Sequence, residues 1–215
     1  SALNTCFVNA AGQIAFSATT DDNNQSGLWA GFPGALQKVA RNGEPAPGTN
    51  GNFRLGAFQA FNDAGQVAFS AQIQDAPNTT LDGVWAGAPG ALQLVARTGS
   101  QAPGFPAGVT WNYVSSTTGE IQLNSAGQVG ISGRVTQLPP ADTALTDGYV
   151  LMVGQPGALR VLAKAGDPAP GAEAFTFIRL SDGDFTLNSA GQAAYITDVW
   201  SGKFGIVPSS RAIYL

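Results

Sequence analysis

The sequence predicts an all-β protein of four repeats, each with four short antiparallel strands, arranged like the blades of a β-propeller. Three observations predict this fold. The phrase "NDAGQVAF" at residues 62–69 has close copies at three other places, and a Gly- and Pro-rich phrase recurs with it in fixed order. No segment keeps the period of 3.6 residues that a long amphipathic helix requires.

The first phrase marks the repeats. Its copies are 53, 62 and 64 residues apart, a spacing typical of repeat architectures. We therefore predict a single repeat domain over residues 1–215, with approximate repeats 1–48, 49–104, 105–171 and 172–215. The copies begin at Asn9, Asn62, Asn124 and Asn188, and their glycines are Gly12, Gly65, Gly127 and Gly191.

Each copy of Asn-x-Ala-Gly predicts a tight turn between two strands. The Asn side chain can close an Asx-turn, and the glycine supplies the positive φ that reverses the chain. In the second repeat, "FRLGAFQAF" at 53–61 is the incoming strand, and "GQVAFSA" at 65–71 alternates like a half-buried outgoing strand. A hairpin is therefore expected at this place in every repeat.

The second phrase predicts another hairpin. A short strand precedes a Pro-Gly turn, a returning strand follows it, and an Ala-Pro-Gly crossing leads to the next repeat. A shortened copy, "KFGIVPSSRAIYL", runs from 203 to 215 and is expected to supply the last strands. The full copies are "LWAGFPGALQKVARNGEPAPG" at 28–48, "VWAGAPGALQLVARTGSQAPG" at 84–104 and "LMVGQPGALRVLAKAGDPAPG" at 151–171.

Together the two phrases cover nearly the whole chain. Because they recur in fixed order, the chain resembles the bacterial tandem-repeat proteins defined by an Asn-x-x-Gly…Ala-Phe motif. Members of that family are typically secreted and often carry variable cell-surface anchors. The resemblance implies an extracellular or cell-surface location and no particular activity.

The number of repeats leaves three assemblies open. They are a closed four-bladed ring, half of an eight-bladed ring, and a section of a longer array. The strands at both ends and the apolar "AIYL" at 212–215 favour self-association through the terminal strands.

Composition excludes several classes of function. The net charge is −4 and the ten Lys and Arg are scattered, so nucleic acid is not an expected partner. The absence of histidine removes the usual general base and metal ligand. The single Cys6 is predicted to be a buried apolar residue at the start of a strand. No apolar run approaches the ~20 residues that span a bilayer.

Two tryptophans are matched between repeats. Trp29 and Trp85 occupy equivalent positions, where the third and fourth repeats have Met152 and Phe204. A core position tolerates any large apolar residue, whereas stacking on a sugar does not. We therefore predict that this position packs in the core.

Unmatched aromatic residues are the candidates for a ligand site. Trp111 and Tyr113 lie together in the loop-like segment "GVTWNYVSS", and Trp200 stands outside the matched series. Variation between repeats is where a repeat protein builds its binding face, so these residues are the candidates for a glycan site. Local packing of the segment is the alternative.

Two acidic clusters are weak candidates for a Ca²⁺ site, and Ca²⁺ is the one cofactor that the sequence suggests. Asp21 and Asp22 lie in "DDNN", and Asp182 and Asp184 lie in "SDGD". Neither cluster has the spacing of a defined calcium loop, and ordinary turns explain both.

Repeated basic residues end the last strand of the three complete repeats. They are expected to form local ion pairs, and an anion-binding rim is the alternative. The basic residues are Arg41, Arg97 and Lys164, and the acidic residues that follow two of them are Glu44 and Asp167.

These observations favour a non-catalytic, secreted or cell-surface module with a structural, self-assembling role, such as a building block of a surface layer or filament. A lectin-like propeller is the first alternative. The second is a glycoside hydrolase, which needs two carboxylates at a defined separation. The carboxylates considered for it are Glu120, Asp142, Asp147 and Asp198.

Overall fold

The structure is a computed structural model that describes residues 3–20, 25–76, 79–114, 121–136, 148–168, 176–179, 185–201 and 210–214. Regular structure in these residues consists of β-strands in four antiparallel sheets. The all-β prediction is therefore confirmed. The described residues contain no helix of the length and apolarity that crossing a membrane requires.

Sheets 1 and 2 are four-stranded meanders in which each strand pairs with the next along the chain. Their first and third turns are the two hairpins that the repeated phrases predict. The strands of sheet 1 are β1 (Leu3–Val8), β2 (Ile14–Thr20), β3 (Gln25–Phe32) and β4 (Ala35–Arg41). Those of sheet 2 are β5 (Asn52–Phe61), β6 (Val67–Ala76), β7 (Thr79–Gly87) and β8 (Gln93–Arg97).

Sheets 3 and 4 divide the first strand into two. Their strands are β9 (Trp111–Val114), β10 (Ile121–Leu123), β11 (Val129–Val135), β12 (Tyr149–Gln155) and β13 (Ala158–Lys164), then β14 (Thr176–Arg179), β15 (Phe185–Leu187), β16 (Ala193–Ser201) and β17 (Ser210–Tyr214). Both β9 and β10 pair with β11, and both β14 and β15 pair with β16. Each pair of short strands takes the place of β5.

The end of the chain differs from the predicted hairpin. The strand β17 pairs directly with β16, as β7 pairs with β6 in sheet 2. The shortened final phrase therefore places its last strand at the third position of the sheet, where a fourth strand was expected.

Consecutive sheets share hydrophobic cores. The core between sheets 1 and 2 includes Leu28, Phe69 and Trp85; the core between sheets 2 and 3 includes Ala68, Ile131 and Met152; the core between sheets 3 and 4 includes Leu151, Phe185 and Tyr195. The four sheets are thus held together in chain order.

The middle of an inner sheet is buried on both faces. In β6, Val67 and Phe69 belong to the core with sheet 1, whereas Ala68 belongs to the core with sheet 3, and all three are fully buried. The prediction of a half-buried strand is wrong for this stretch, because its two faces pack against the sheets on either side. Further along β6, Gln72 and Gln74 are exposed.

The crossings add hydrogen bonds between consecutive sheets. Phe53 N donates to Glu44 O at 2.9 Å, and Trp111 N donates to Ser100 O at 2.9 Å. The turn after the last strand of one sheet therefore pairs with the first strand of the next. These bonds also show that Phe53 and Trp111 occupy the same position in their repeats.

Cys6 lies in β1, but its side chain is exposed, so its predicted burial is wrong. Its neighbour Phe7 packs on the core shared with sheet 2, and successive residues of a strand point to opposite faces. Cys6 therefore lies on the outer face of sheet 1, together with its cross-strand partner Phe16.

Candidate functional site: an asparagine ladder between repeats

The Asn-x-Ala-Gly-Gln turn has the same two hydrogen bonds between its Asn side chain and its Gln in all four repeats. Asn62 Oδ1 accepts from Gln66 N at 2.9 Å, and Asn62 Nδ2 donates to Gln66 Oε1 at 2.8 Å. Gly65 has φ +75°, which an L side chain rarely adopts. The equivalent pairs, Asn9 with Gln13, Asn124 with Gln128 and Asn188 with Gln192, make the same two side-chain bonds.

The asparagine side chains also connect the repeats. Asn9 Nδ2 donates to Asn62 O, Asn62 Nδ2 to Asn124 O, and Asn124 Nδ2 to Asn188 O, each at 2.9 Å. A side-chain amide has two N–H donors, so each asparagine uses one in its own turn and the other on the next turn. We call the series Asn9, Asn62, Asn124 and Asn188 the asparagine ladder.

The glutamine of each turn packs on the glycine of the next. A Cβ atom added to Gly65, Gly127 or Gly191 would lie 2.8, 2.8 or 2.5 Å from the side-chain oxygen of Gln13, Gln66 or Gln128, respectively. Glycine is therefore favoured by the left-handed backbone, and a larger residue would also have to displace the glutamine side chain of the preceding turn. The sequence reasoning singled out Asn and Gly but missed Gln, although its identity in all four copies was the available signal.

The ladder is buried in the middle and open at both ends. Asn62 and Asn124 are 6% and 5% exposed. Asn188 is exposed, and within the described part of the chain its Nδ2 donates to Gln192 Oε1 alone. A Cβ atom added to Gly12 would meet no described atom within 4 Å.

The two ends present complementary groups. The donor end, defined by Asn188 and Gln192, offers an amide N–H and a glutamine side chain. The acceptor end, defined by Asn9 and Gly12, offers a backbone carbonyl and an uncovered glycine. These are the groups that join consecutive repeats inside the chain.

An open cleft of about 340 Å³ adjoins the donor end. At the equivalent place in sheet 2, Ala60 and Ala68 are covered by the core shared with sheet 3. The cleft therefore corresponds to surface that the next repeat covers elsewhere in the chain. Its lining residues are Thr186, Leu187, Asn188, Gln192, Ala193 and Ala194.

Two of the three aromatic ligand candidates, Trp111 and Tyr113, have side chains that the structure describes. Trp111 lies in β9 rather than in a loop, is 1% exposed and belongs to the core between sheets 2 and 3, so its ring is not open to a ligand. Tyr113 is half-buried in the same strand. Trp200 lies in β16, and its side chain is outside the described structure.

The matched tryptophans differ in burial. Trp85 is fully buried, donates from Nε1 to Pro47 O at 2.9 Å, and stacks with Phe69. Met152 is fully buried as well, in agreement with a core position. Trp29 stacks with Phe16 in the same manner but is half-buried, because this pair lies on the outer face of sheet 1. Phe204 is outside the described residues.

Of the three repeated basic residues, Arg97 and Lys164 form ion pairs. Lys164 Nζ lies 2.8 Å from Asp167 Oδ1, as expected, and Arg97 lies 3.8 Å from Asp75. Glu44 pairs with Lys38 instead of with Arg41. These exposed or half-exposed pairs contribute little to stability.

The remaining acidic candidates fall where the structure gives no side chain. The calcium candidates Asp21, Asp22, Asp182 and Asp184 and the carboxylates Glu120, Asp142 and Asp147 lie outside the described residues. Asp198 pairs through its backbone with Arg179 and Arg211.

Comparison with known proteins finds a family match, which covers nearly the whole chain. No curated protein matches the chain. The model of a protein family matches residues 1–214. The chain therefore belongs to the family of unknown function DUF7453.

Proposed function

We propose that the chain is a non-catalytic structural and interaction module at the cell surface or outside the cell, with its four sheets arranged like propeller blades. The asparagine ladder carries this proposal. The polar residues that recur in all four repeats are used to join one repeat to the next, and the apolar residues that recur fill the cores between sheets. The repetition thus serves assembly.

The propeller-like arrangement has support from the order of contacts. Each inner sheet lies between the preceding and the following sheet, and the Asn turns of successive sheets meet at the ladder. In a propeller, successive blades pack face to face in this way around an axis. The open ends of the ladder favour a half-ring or an array over a closed ring of four.

The proposed location, at the cell surface or outside the cell, rests on the resemblance to secreted tandem-repeat proteins. An antibody raised against the chain should label intact source cells, or the protein should be recovered from the culture medium. A protein found only in the soluble fraction of lysed cells would overturn the proposed location.

The absence of catalysis is tested separately. The purified chain should release no product from a panel of oligosaccharides and aryl glycosides. Turnover that disappears when one carboxylate, such as Asp198, is replaced by Asn would establish a hydrolase and overturn the proposal.

A further inference from the structure

The outer face of sheet 1 is equivalent to a face that is buried elsewhere in the chain. Phe69 and Trp85 of sheet 2 are fully buried against sheet 1, whereas the equivalent Phe16 and Trp29 are half-buried. Val8, next to the acceptor end, is 73% exposed. This apolar face belongs to the same surface as the uncovered Gly12.

Sheet 4 presents the counterpart of that face. Its donor end has an exposed Gln192 and the open cleft beside Thr186 and Ala194. Between sheets 2 and 3, Leu123, which stands at the position of Val8, packs on the core that contains Ala68, which stands at the position of Ala194. The contact between sheets 2 and 3 is therefore a template for a contact between Val8 and the cleft beside Ala194.

From this continuity we infer that the acceptor end of one chain binds the donor end of a second copy of the same chain. Asn188 Nδ2 of one copy donates to Asn9 O of the other, Gln192 packs on Gly12, and Val8 enters the cleft. The contact is head-to-tail, so repetition gives a closed ring or an open filament. The inference rests on the proposed interaction role, because it names the partner of that same surface.

The first experiment measures the mass of the chain by sedimentation velocity over a wide concentration range. Wild type should associate, and Val8→Arg should weaken association at least about tenfold, because it buries an unpaired cation. Phe32→Arg is the matched control, because Phe32 is also an exposed apolar residue, at 49%, and its equivalent in sheet 2, Ala88, belongs to neither core of that sheet. Association equal in the two variants would overturn the inference, as would a single-chain mass for wild type throughout.

A second experiment tests the head-to-tail geometry. Thr186→Arg blocks the donor end as Val8→Arg blocks the acceptor end, and Thr80→Arg, at another exposed strand threonine, is its control. A mixture of the two blocked variants retains one intact end of each kind and should give a species of two chains, while each variant alone remains single. Failure of the mixture to associate would overturn the head-to-tail contact.

Cys6 supplies an independent readout of the same surface. It is the chain's single cysteine and is exposed on the outer face of sheet 1, so association should slow its reaction with a maleimide in wild type but not in Val8→Arg. Unchanged reactivity in associated wild type would place the contact elsewhere. If the chain is found outside the cell but is monomeric at every concentration, the inferred head-to-tail contact is refuted and the proposed function is not. If the chain hydrolyses a glycan, the proposed non-catalytic function is refuted, whether or not the chain associates.

Discussion

Replacing Asn62 by Asp tests whether the ladder holds the repeats together. The substitution keeps the shape and the Oδ1 acceptor, but it removes the N–H that donates to Asn124 O at 2.9 Å. Gln66 can rotate its amide to donate to the new carboxylate, whereas the carbonyl of Asn124 cannot. The result is a carboxylate oxygen facing a carbonyl oxygen at a site 6% exposed.

The expected loss follows from these two terms. A lost hydrogen bond costs about 1 kcal/mol, and a buried polar group left without its partner adds about 1–3 kcal/mol, or more when it is charged. We therefore expect Asn62→Asp to lower the free energy of unfolding by at least about 2–4 kcal/mol. The control Asn188→Asp makes the same change in an exposed turn at the donor end, and its loss should stay below about 1 kcal/mol.

Urea denaturation followed by circular dichroism and by tryptophan fluorescence gives both numbers, provided that the two signals coincide, because repeat proteins can unfold in stages. The measurement is made at a concentration where the chain is single. Equal losses in the two variants would refute the argument, since they would show that the turn matters and the bond between repeats does not.

The pH dependence of stability offers a second test. Burial favours the protonated form of the carboxyl introduced at residue 62. The extra loss of Asn62→Asp over Asn188→Asp should therefore be present near neutral pH and disappear below about pH 3.9.

Other substitutions test the same packing. Gly65→Ala and Gly12→Ala share the cost of a left-handed alanine, but only Gly65 lies against Gln13, so Gly65→Ala should lower the melting temperature further; equal shifts would argue against the glutamine contact. Trp111→Ala should lower the free energy of unfolding by about 3–5 kcal/mol, as for a large core residue, and a loss under about 1 kcal/mol would show that its ring is dispensable for folding. Trp85→Phe removes a buried hydrogen bond as well as volume and should cost about 1–3 kcal/mol in urea denaturation; no loss would contradict the role of its indole N–H.

Local turn chemistry was predictable from the sequence, because Asn, Gly and Pro act within a few residues of themselves. The Asn-x-Ala-Gly and Pro-Gly phrases therefore predicted both hairpins and the all-β fold. Burial was less predictable. Trp111 appeared unmatched, because the crossing before it is longer than the one before Phe53, and only the backbone bonds of the crossings show that the two are equivalent.

Contacts between repeats could not be predicted from any single repeat. The second N–H of Asn62 has no assigned partner until the position of Asn124 is known, and Gln66 looks like an ordinary strand residue until Gly127 lies against it. The burial of Cys6 was predicted wrongly for the same reason. The alternation of side chains along β1 places Cys6 on the face opposite Phe7, but only the position of sheet 2 determines which of the two faces is covered.

The direction of the ladder limits how two copies can meet. Every step donates from an asparagine side chain to the carbonyl of the following repeat, and every inner sheet turns its bulky face, such as Phe69 and Trp85, towards the preceding sheet. A two-fold pairing of two donor ends would place amide N–H against amide N–H, and a pairing of two acceptor ends would place carbonyl against carbonyl. Neither pairing forms the bonds that join repeats inside the chain, because in a two-fold interface each surface meets its own copy. A polar stack of this kind therefore extends in one sense only, and its length is set by whether the rotation from one repeat to the next closes a ring.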